Sequence, residues 1–195
     1  MWDERYASED YAYGTEPNDF LREVAPRLPV GKTLCLGEGE GRNAVFLAGL
    51  GHRVTALDGS RVGLEKARRL AADRGVAIDT IHSDLAHYTL EPAAWDCIVA
   101  IFVHLPPALR RQLHRQVVAG LRPGGVFVLE AYTPRQLELG TGGPPVAELM
   151  MELETLAEEL TGLRFLRAAE AEREVHEGRY HAGTGAVVQI LATRD

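Results

Sequence analysis

Three glycines at alternate positions, Gly37, Gly39 and Gly41, interleave with Glu38 and Glu40, and Asp58 follows Gly41 by 17 residues. Glycine has no side chain to hold a ligand away, so such a loop lets a nucleoside cofactor approach the main chain. The first glycine permits the turn out of a strand, the second admits the cofactor, and the third allows close helix packing. A carboxylate ending the next strand can accept hydrogen bonds from both ribose hydroxyls, and its charge makes such bonds roughly twice as strong as neutral ones.

Dinucleotide oxidoreductases follow related logic, but they space their glycines as G-x-G-x-x-G so that a pyrophosphate rests on a helix N-terminus. Here the spacing is G-x-G-x-G and then Arg42. Glu38 and Glu40 would repel a pyrophosphate and attract a cationic sulfonium. The loop therefore favours S-adenosylmethionine over NAD. Asp84, in Ile81-His82-Ser83-Asp84-Leu85, fits the acid that meets an adenine amino group, with a turn cap as the plain alternative. Backbone near Ile101 is expected at the methionine end. Asn43, Gly59, Ser60, Leu85 and Tyr13 complete the candidate cofactor contacts.

Methyl transfer is an in-line displacement, so alignment and exclusion of water outweigh a dedicated base. A thiol or an oxyanion of the tellurite or selenite type needs no base once deprotonated, whereas a hydroxyl or amine benefits from one. His104, just past the fourth expected strand, and Tyr132, ending the fifth, are the candidate catalytic residues; capping and core packing are their plain alternatives. His176 and His181 gather near Glu172, Arg173 and Glu177, where exposed hairpin residues are the simpler account. No Cys/His spacing marks a zinc site, so no metal is expected. Residues 140–145 form a glycine-rich loop able to cover a substrate.

These residues need a frame. Apolar runs at 33–36, 53–57, 77–82, 96–102 and 126–132 read as strands, alternating with helical patterns. One helix spans 43–50. Ser60 N-caps another, with Leu64, Ala67, Leu70 and Ala71 on one stripe. A third starts at Pro106-Pro107 and ends before Pro123-Gly124-Gly125, a turn that neither helix nor strand should contain. A further helix carries Val146, Leu149, Met150, Leu153, Leu156 and Leu160, and strands at 163–175 and 185–192 close the chain. Two final strands without a helix between them imply an edge hairpin. The expected fold is α/β: a Rossmann-like, doubly wound, mostly parallel seven-stranded sheet with an antiparallel C-terminal hairpin. One domain over 1–195 is expected, with an N-terminal helical lid segment at 1–30, a cofactor-binding core at 31–133, and a C-terminal helix and edge hairpin at 134–195. Phe20, Leu21, Val24 and Leu28 form a short stripe in that lid, behind Trp2, Tyr6, Tyr11 and Tyr13. The segment Tyr11-Ala12-Tyr13-Gly14 is placed to cover the cofactor.

At 195 residues and 21.4 kDa the chain can bury one core. A net charge of −7 argues against unspecific nucleic-acid binding. Basic residues cluster at Arg61, Lys66, Arg68, Arg69 and Arg74, and acidic ones at Glu148, Glu152, Glu154, Glu158 and Glu159; both read as solvated helix faces. No stretch approaches the roughly 20 apolar residues of a membrane helix, and the N-terminus lacks a signal-peptide layout. Cys35 and Cys97 fall in expected strands, which fits reduced thiols and a cytoplasmic protein.

The stretch Gly39-Glu40-Gly41-Arg42-Asn43-Ala44-Val45-Phe46-Leu47-Ala48 resembles the motif-I region of tellurite-resistance-type methyltransferases, which are class I S-adenosylmethionine-dependent enzymes. Tyr13-Gly14-Thr15-Glu16-Pro17-Asn18 and Leu121-Arg122-Pro123-Gly124-Gly125 also fit that group. The resemblance covers roughly residues 10–133. It implies a cofactor at Gly37, Gly39, Asp58 and Asp84, and a small-molecule methyl acceptor. One departure stands out: the position two before Gly37, commonly acidic in class I enzymes, is Cys35. Glu38 or the N-terminal tyrosines would then organise the methionine end. A non-catalytic cofactor-binding module carries the same motifs.

Overall fold

The computed structural model describes residues 2–178 and 182–195, so His181 lies outside the described residues. Five strands, β1 (Lys32–Leu36), β2 (Arg53–Asp58), β3 (Asp79–His82), β4 (Trp95–Ile101) and β5 (Leu121–Tyr132), pair in parallel. Two long strands, β6 (Arg164–His176) and β7 (Ala182–Thr193), add an antiparallel hairpin beside β5. The order β3-β2-β1-β4-β5-β7-β6 is the seven-stranded, doubly wound sheet expected from the sequence. Strand order reverses between β1 and β4, and ligands of such sheets bind beyond the carboxyl ends at that point.

Helices cover both faces, which is why the parallel strands read as continuous apolar runs. On one face, α2 (Asp19–Val24) and α3 (Arg42–Gly49) bring Phe20, Leu21, Ala44 and Leu47 onto Cys35, Val54, Cys97 and Val99. On the other, α5 (Pro107–Gly120) and, after the short α6 (Gln136–Leu139), α7 (Leu153–Glu159) bring Leu113, Val117 and Leu156 onto Leu34, Ile98 and Phe127. Cys35 and Cys97 are buried free thiols. The Ser60 hydroxyl caps α4 (Arg61–Asp73), accepting from the Gly63 amide at 3.0 Å. Among the described residues, no helix is long and apolar enough to cross a membrane.

Several boundaries differ from the sequence reading. Pro123-Gly124-Gly125 lies within β5, because Leu121 pairs with Trp95 and Val126 with Cys97; the intervening residues form an irregularity in the ladder. Strand β3 starts at Asp79, two residues later than expected. The single helix expected through 146–160 is broken. A 3₁₀ turn at Ala147–Leu149 precedes α7, and between them the backbone is held by other elements: the Met151 amide donates to the Tyr132 carbonyl at 3.0 Å and Arg110 donates to the Met150 carbonyl at 3.1 Å. Lys66 and Glu159 are not solvated. The Lys66 side chain pairs with Glu40 at 2.5 Å, and Glu159 is clamped by Arg110 and His114.

Gly41 shows what the third glycine does. It begins α3 with φ 92°, and a Cβ there would stand 2.5 Å from the Ala67 Cβ of α4. Gly41→Ala should therefore combine backbone strain with overpacking and cost about 2 kcal/mol or more. Urea unfolding checks this against Gly75→Ala, where φ is 68° but no atom stands within 4 Å, and the loss should be nearer 1 kcal/mol.

Candidate functional site

The glycine loop is held by two carboxylates that spend their oxygens on main-chain amides. Gly37 and Gly39 both have positive φ, 56° and 61°. The Gly39 amide donates to Asp58 Oδ2 at 2.8 Å, and the Ser60 amide donates to Oδ1 at 2.7 Å. Asp58 is 7% exposed, and burial pushes its carboxyl pKa up. Glu38 Oε1 accepts from the amides of Asn43 and Ala44 at 2.9 and 2.8 Å, capping α3 where Gly41 has no side chain to do so. Burial raises the Glu38 pKa to about 7. These residues fit an adenosyl sulfonium. Each Asp58 oxygen keeps a lone pair for a diol hydroxyl, since a carboxylate offers about four acceptor sites. The buried Asp58 and the half-buried Glu38 favour a cation, and Cβ atoms at Gly37 and Gly39 would meet Val103 at 3.0 Å and Tyr6 at 2.5 Å. Gly59, between Asp58 and Ser60, offers its carbonyl to the His82 ring at 3.1 Å.

An N-terminal strap covers this loop. It begins with α1 (Trp2–Arg5), where Asp3 accepts from the Ser60 hydroxyl at 2.5 Å. Lys66 Nζ reaches the carbonyls of Tyr6, Ser8 and Asp10 at 3.4, 3.0 and 2.7 Å. Glu40 accepts from the Ala12 amide at 2.8 Å. Glu40 thus serves the strap rather than the loop opening. Tyr13 is half-buried beside Tyr6, its hydroxyl accepting from Arg5 at 3.1 Å. Tyr6 is one of the N-terminal tyrosines that the sequence placed near the methionine end, whereas nothing in the sequence marks Asp3.

Past β4 and β5 stands an aromatic wall. Phe102 holds φ 54°, an uncommon conformation for a bulky residue and a store of about 1–3 kcal/mol of strain. Its ring stacks on Tyr132 at 4.6 Å, and His104 stacks on Tyr132 at 5.8 Å. Ile101 is buried beneath them. His104 Nδ1 bonds the Leu149 carbonyl at 3.0 Å, and the Tyr132 amide donates to Nε2 at 3.4 Å. Burial lowers the His104 pKa to about 4, so the ring is neutral. Burial also raises the Tyr132 pKa, keeping the phenol protonated. A Cβ on Gly143 would stand 2.8 Å from the Tyr132 ring, which puts the 140–145 loop against this wall. Asp84 is exposed, and its Oδ1 accepts from the Ala86 amide at 2.8 Å, a turn-capping bond; Leu85 behind it is buried.

The final hairpin does not simply present its polar residues to solvent. His176 is exposed, but Glu177 is 4% exposed and pairs with Arg42, while Arg173 bonds Glu177 at 2.8 Å and Glu130 at 2.5 Å. Asn18 donates to both carboxylates, at 2.7 and 2.9 Å, and its own amide donates to the Asn43 side chain at 2.9 Å. Asn43 therefore fixes α2 to α3 through its side chain. Two cavities of about 300 and 260 Å³ lie elsewhere, one along Phe46, Leu50 and Val76 and one along Thr133, Glu170 and Val187. Neither is lined by the glycine loop, which the strap closes.

The neutral His104 gives a signed pH dependence. Its unfolded pKa is near 6.5 and its folded value about 4, so the unfolded state binds the extra proton between them. This contribution is fully present above pH 6.5 and is lost as pH falls toward 4, at no more than about 1.4 kcal/mol per pH unit. Urea unfolding from pH 7 to 5 should show a steeper loss in the wild type than in His104→Asn. Glu38 and Asp58, with raised pKa values, act in the opposite sense in both proteins and cancel in the difference.

Comparison with known proteins agrees with this geometry. Residues 33–125 match the model of a family described as a methyltransferase domain. The 2-heptyl-1-hydroxyquinolin-4(1H)-one methyltransferase of Mycobacteroides abscessus is 25% identical over 73% of this chain and 64% of its own length. The chain thus spans less than two thirds of the length of the curated relatives it matches first. Among solved structures, the protein from the conversion of a disulfide bond into a thioacetal group during echinomycin biosynthesis has a TM-score of 0.78 at 19% identity, covering 99% of this chain and 88% of that one. TehB from Haemophilus influenzae has a TM-score of 0.74 at 18% identity, covering 100% of this chain and 66% of that one. The family match takes in β1 to β4, α3 to α5 and the start of β5, and with them the glycine loop and Asp58.

Proposed function

We propose that this chain is an S-adenosylmethionine-dependent methyltransferase of the tellurite-resistance type, acting in the cytoplasm on a small acceptor whose reacting atom is soft and ionises by itself. A thiol or a chalcogen oxyanion fits that description. The observation that carries the cofactor half is Asp58 at the end of β2, bonded to the Gly39 and Ser60 amides and still able to accept from a diol. When bound, the cofactor supplies an electrophilic methyl group on its sulfonium. Asp58 would hold the ribose, Glu38 would keep the loop and α3 in register, and backbone at Ile101 would border the methionine end. Asp84 and Leu85, past β3, would border the adenine.

The acceptor half rests on the aromatic wall. His104 is neutral with both nitrogens engaged, and Tyr132 stays protonated, so neither is a base near neutral pH. Their work would be to pack the acceptor and exclude water, which suits a group that arrives already deprotonated. The sulfur chemistry named for the echinomycin-related structure and the likeness to TehB support this leaning. Buried free thiols at Cys35 and Cys97 are compatible with a reducing compartment.

Thermal unfolding with S-adenosylmethionine, S-adenosylhomocysteine and NAD tests the cofactor assignment. At a hundredfold excess over its dissociation constant, the right ligand adds about 2.7 kcal/mol of stability. A shift with the first two that Asp58→Ala largely removes is expected; a shift with NAD alone overturns the reading. Incubation with thiols, chalcogen oxyanions and small phenols should release S-adenosylhomocysteine fastest with the first two classes. Release with none of them would identify a pure binder.

A further inference from the structure

Tyr6 stands where a cofactor residue would stand, although no motif points to it. Its ring is wedged against main chain on two sides. A Cβ on Gly39 would lie 2.5 Å from the Tyr6 hydroxyl, and a Cβ on Gly63 would lie 3.0 Å from its Cδ2. Trp2 stacks on it at 5.8 Å and Tyr13 meets it edge-on at 6.3 Å. The residue is 5% exposed, and its backbone carbonyl is gripped by the buried Lys66. The ring is therefore fixed over the glycine loop by packing and by its own main chain.

The hydroxyl is the unusual part. Among the described residues it makes no hydrogen bond, and it is not one of the fully enclosed side-chain atoms, so a ligand oxygen could reach it. Burial and the Asp58 carboxylate, followed by Tyr13, Glu40 and Glu38, hold its pKa far above the ordinary phenol range. It is a donor that will not ionise, set beside Gly39 and within the field of the Asp58 carboxylate. A ligand carboxylate would be repelled there by Asp58, Glu38 and Glu40, whereas an uncharged sugar oxygen would not.

We propose that Tyr6 forms part of the cofactor site, its hydroxyl donating to an oxygen of the ribose that Asp58 holds and its ring roofing the glycine loop. This rests on the methyltransferase reading of the site. The role is in binding, so Tyr6→Phe should raise the KM for S-adenosylmethionine and leave kcat nearly unchanged. Calorimetric titration should show S-adenosylmethionine, S-adenosylhomocysteine and 5′-methylthioadenosine all weakened about tenfold, the value of one hydrogen bond. Equal loss across the three is the signature, because the ribose is what they share. Tyr6→Leu, which also removes the ring, should weaken all three further. Ligand-free melting of both variants verifies that the fold survives.

Unchanged affinities in Tyr6→Phe, or a loss confined to the two ligands with an amino-acid tail, would overturn the assignment while leaving the methyltransferase reading intact. A wild-type protein that binds none of the three would instead sink that reading, and this proposal with it.

Discussion

Four charges with little access to water, Arg42, Arg173, Glu130 and Glu177, tie together parts of the chain that are far apart in sequence. Glu130 comes from β5 and is fully buried, Arg173 comes from the end of β6 and Glu177 directly follows that strand, and Arg42 opens α3 directly after the glycine loop. Asn18 ahead of α2 and Gln189 on β7 complete the hydrogen bonding of the two carboxylates. Burying ions is favourable only when each is paired and its remaining valences are filled, and removing one partner typically costs about 3–5 kcal/mol. The arrangement makes the start of α3, and so the loop before it, depend on residues 135 positions later. The C-terminal hairpin is thus part of what shapes the cofactor crevice.

The frame of the site was legible because its signals are local. Apolar runs gave the parallel strands, Ser60 announced the cap of α4, and the G-x-G-x-G spacing announced a loop that tolerates no Cβ at Gly41. What the sequence hid were long-range exchanges of polar groups. Glu40 reads as a loop carboxylate, yet its partners are Lys66 and the Ala12 amide. Glu177 reads as a hairpin surface residue, yet it is paired with Arg42. The helix expected through 146–160 has the right apolar period, but the Met150 carbonyl is taken by Arg110 and the Met151 amide donates to the Tyr132 carbonyl instead of to a preceding turn. No periodicity records such a bargain between distant segments.

The strap and the aromatic wall divide the carboxyl edge of the sheet into two regimes. Over β1 and β2 the chain supplies fixed carboxylates and main-chain amides, which are preorganised because α3 and α4 begin there. Over β4 and β5 it supplies stacked rings and a histidine whose burial keeps it uncharged. Such a partition suits a reaction in which charge sits on one partner and the other must be shielded from solvent.

The carboxylates Glu38 and Asp58 have one consequence for turnover. In the proposed reaction the donor arrives as a cation and leaves as a neutral thioether, so the attraction that helps it enter is absent when the spent molecule departs. The same two side chains would therefore pull the fresh donor in and relax their hold on the by-product, giving the cycle a direction without any moving part.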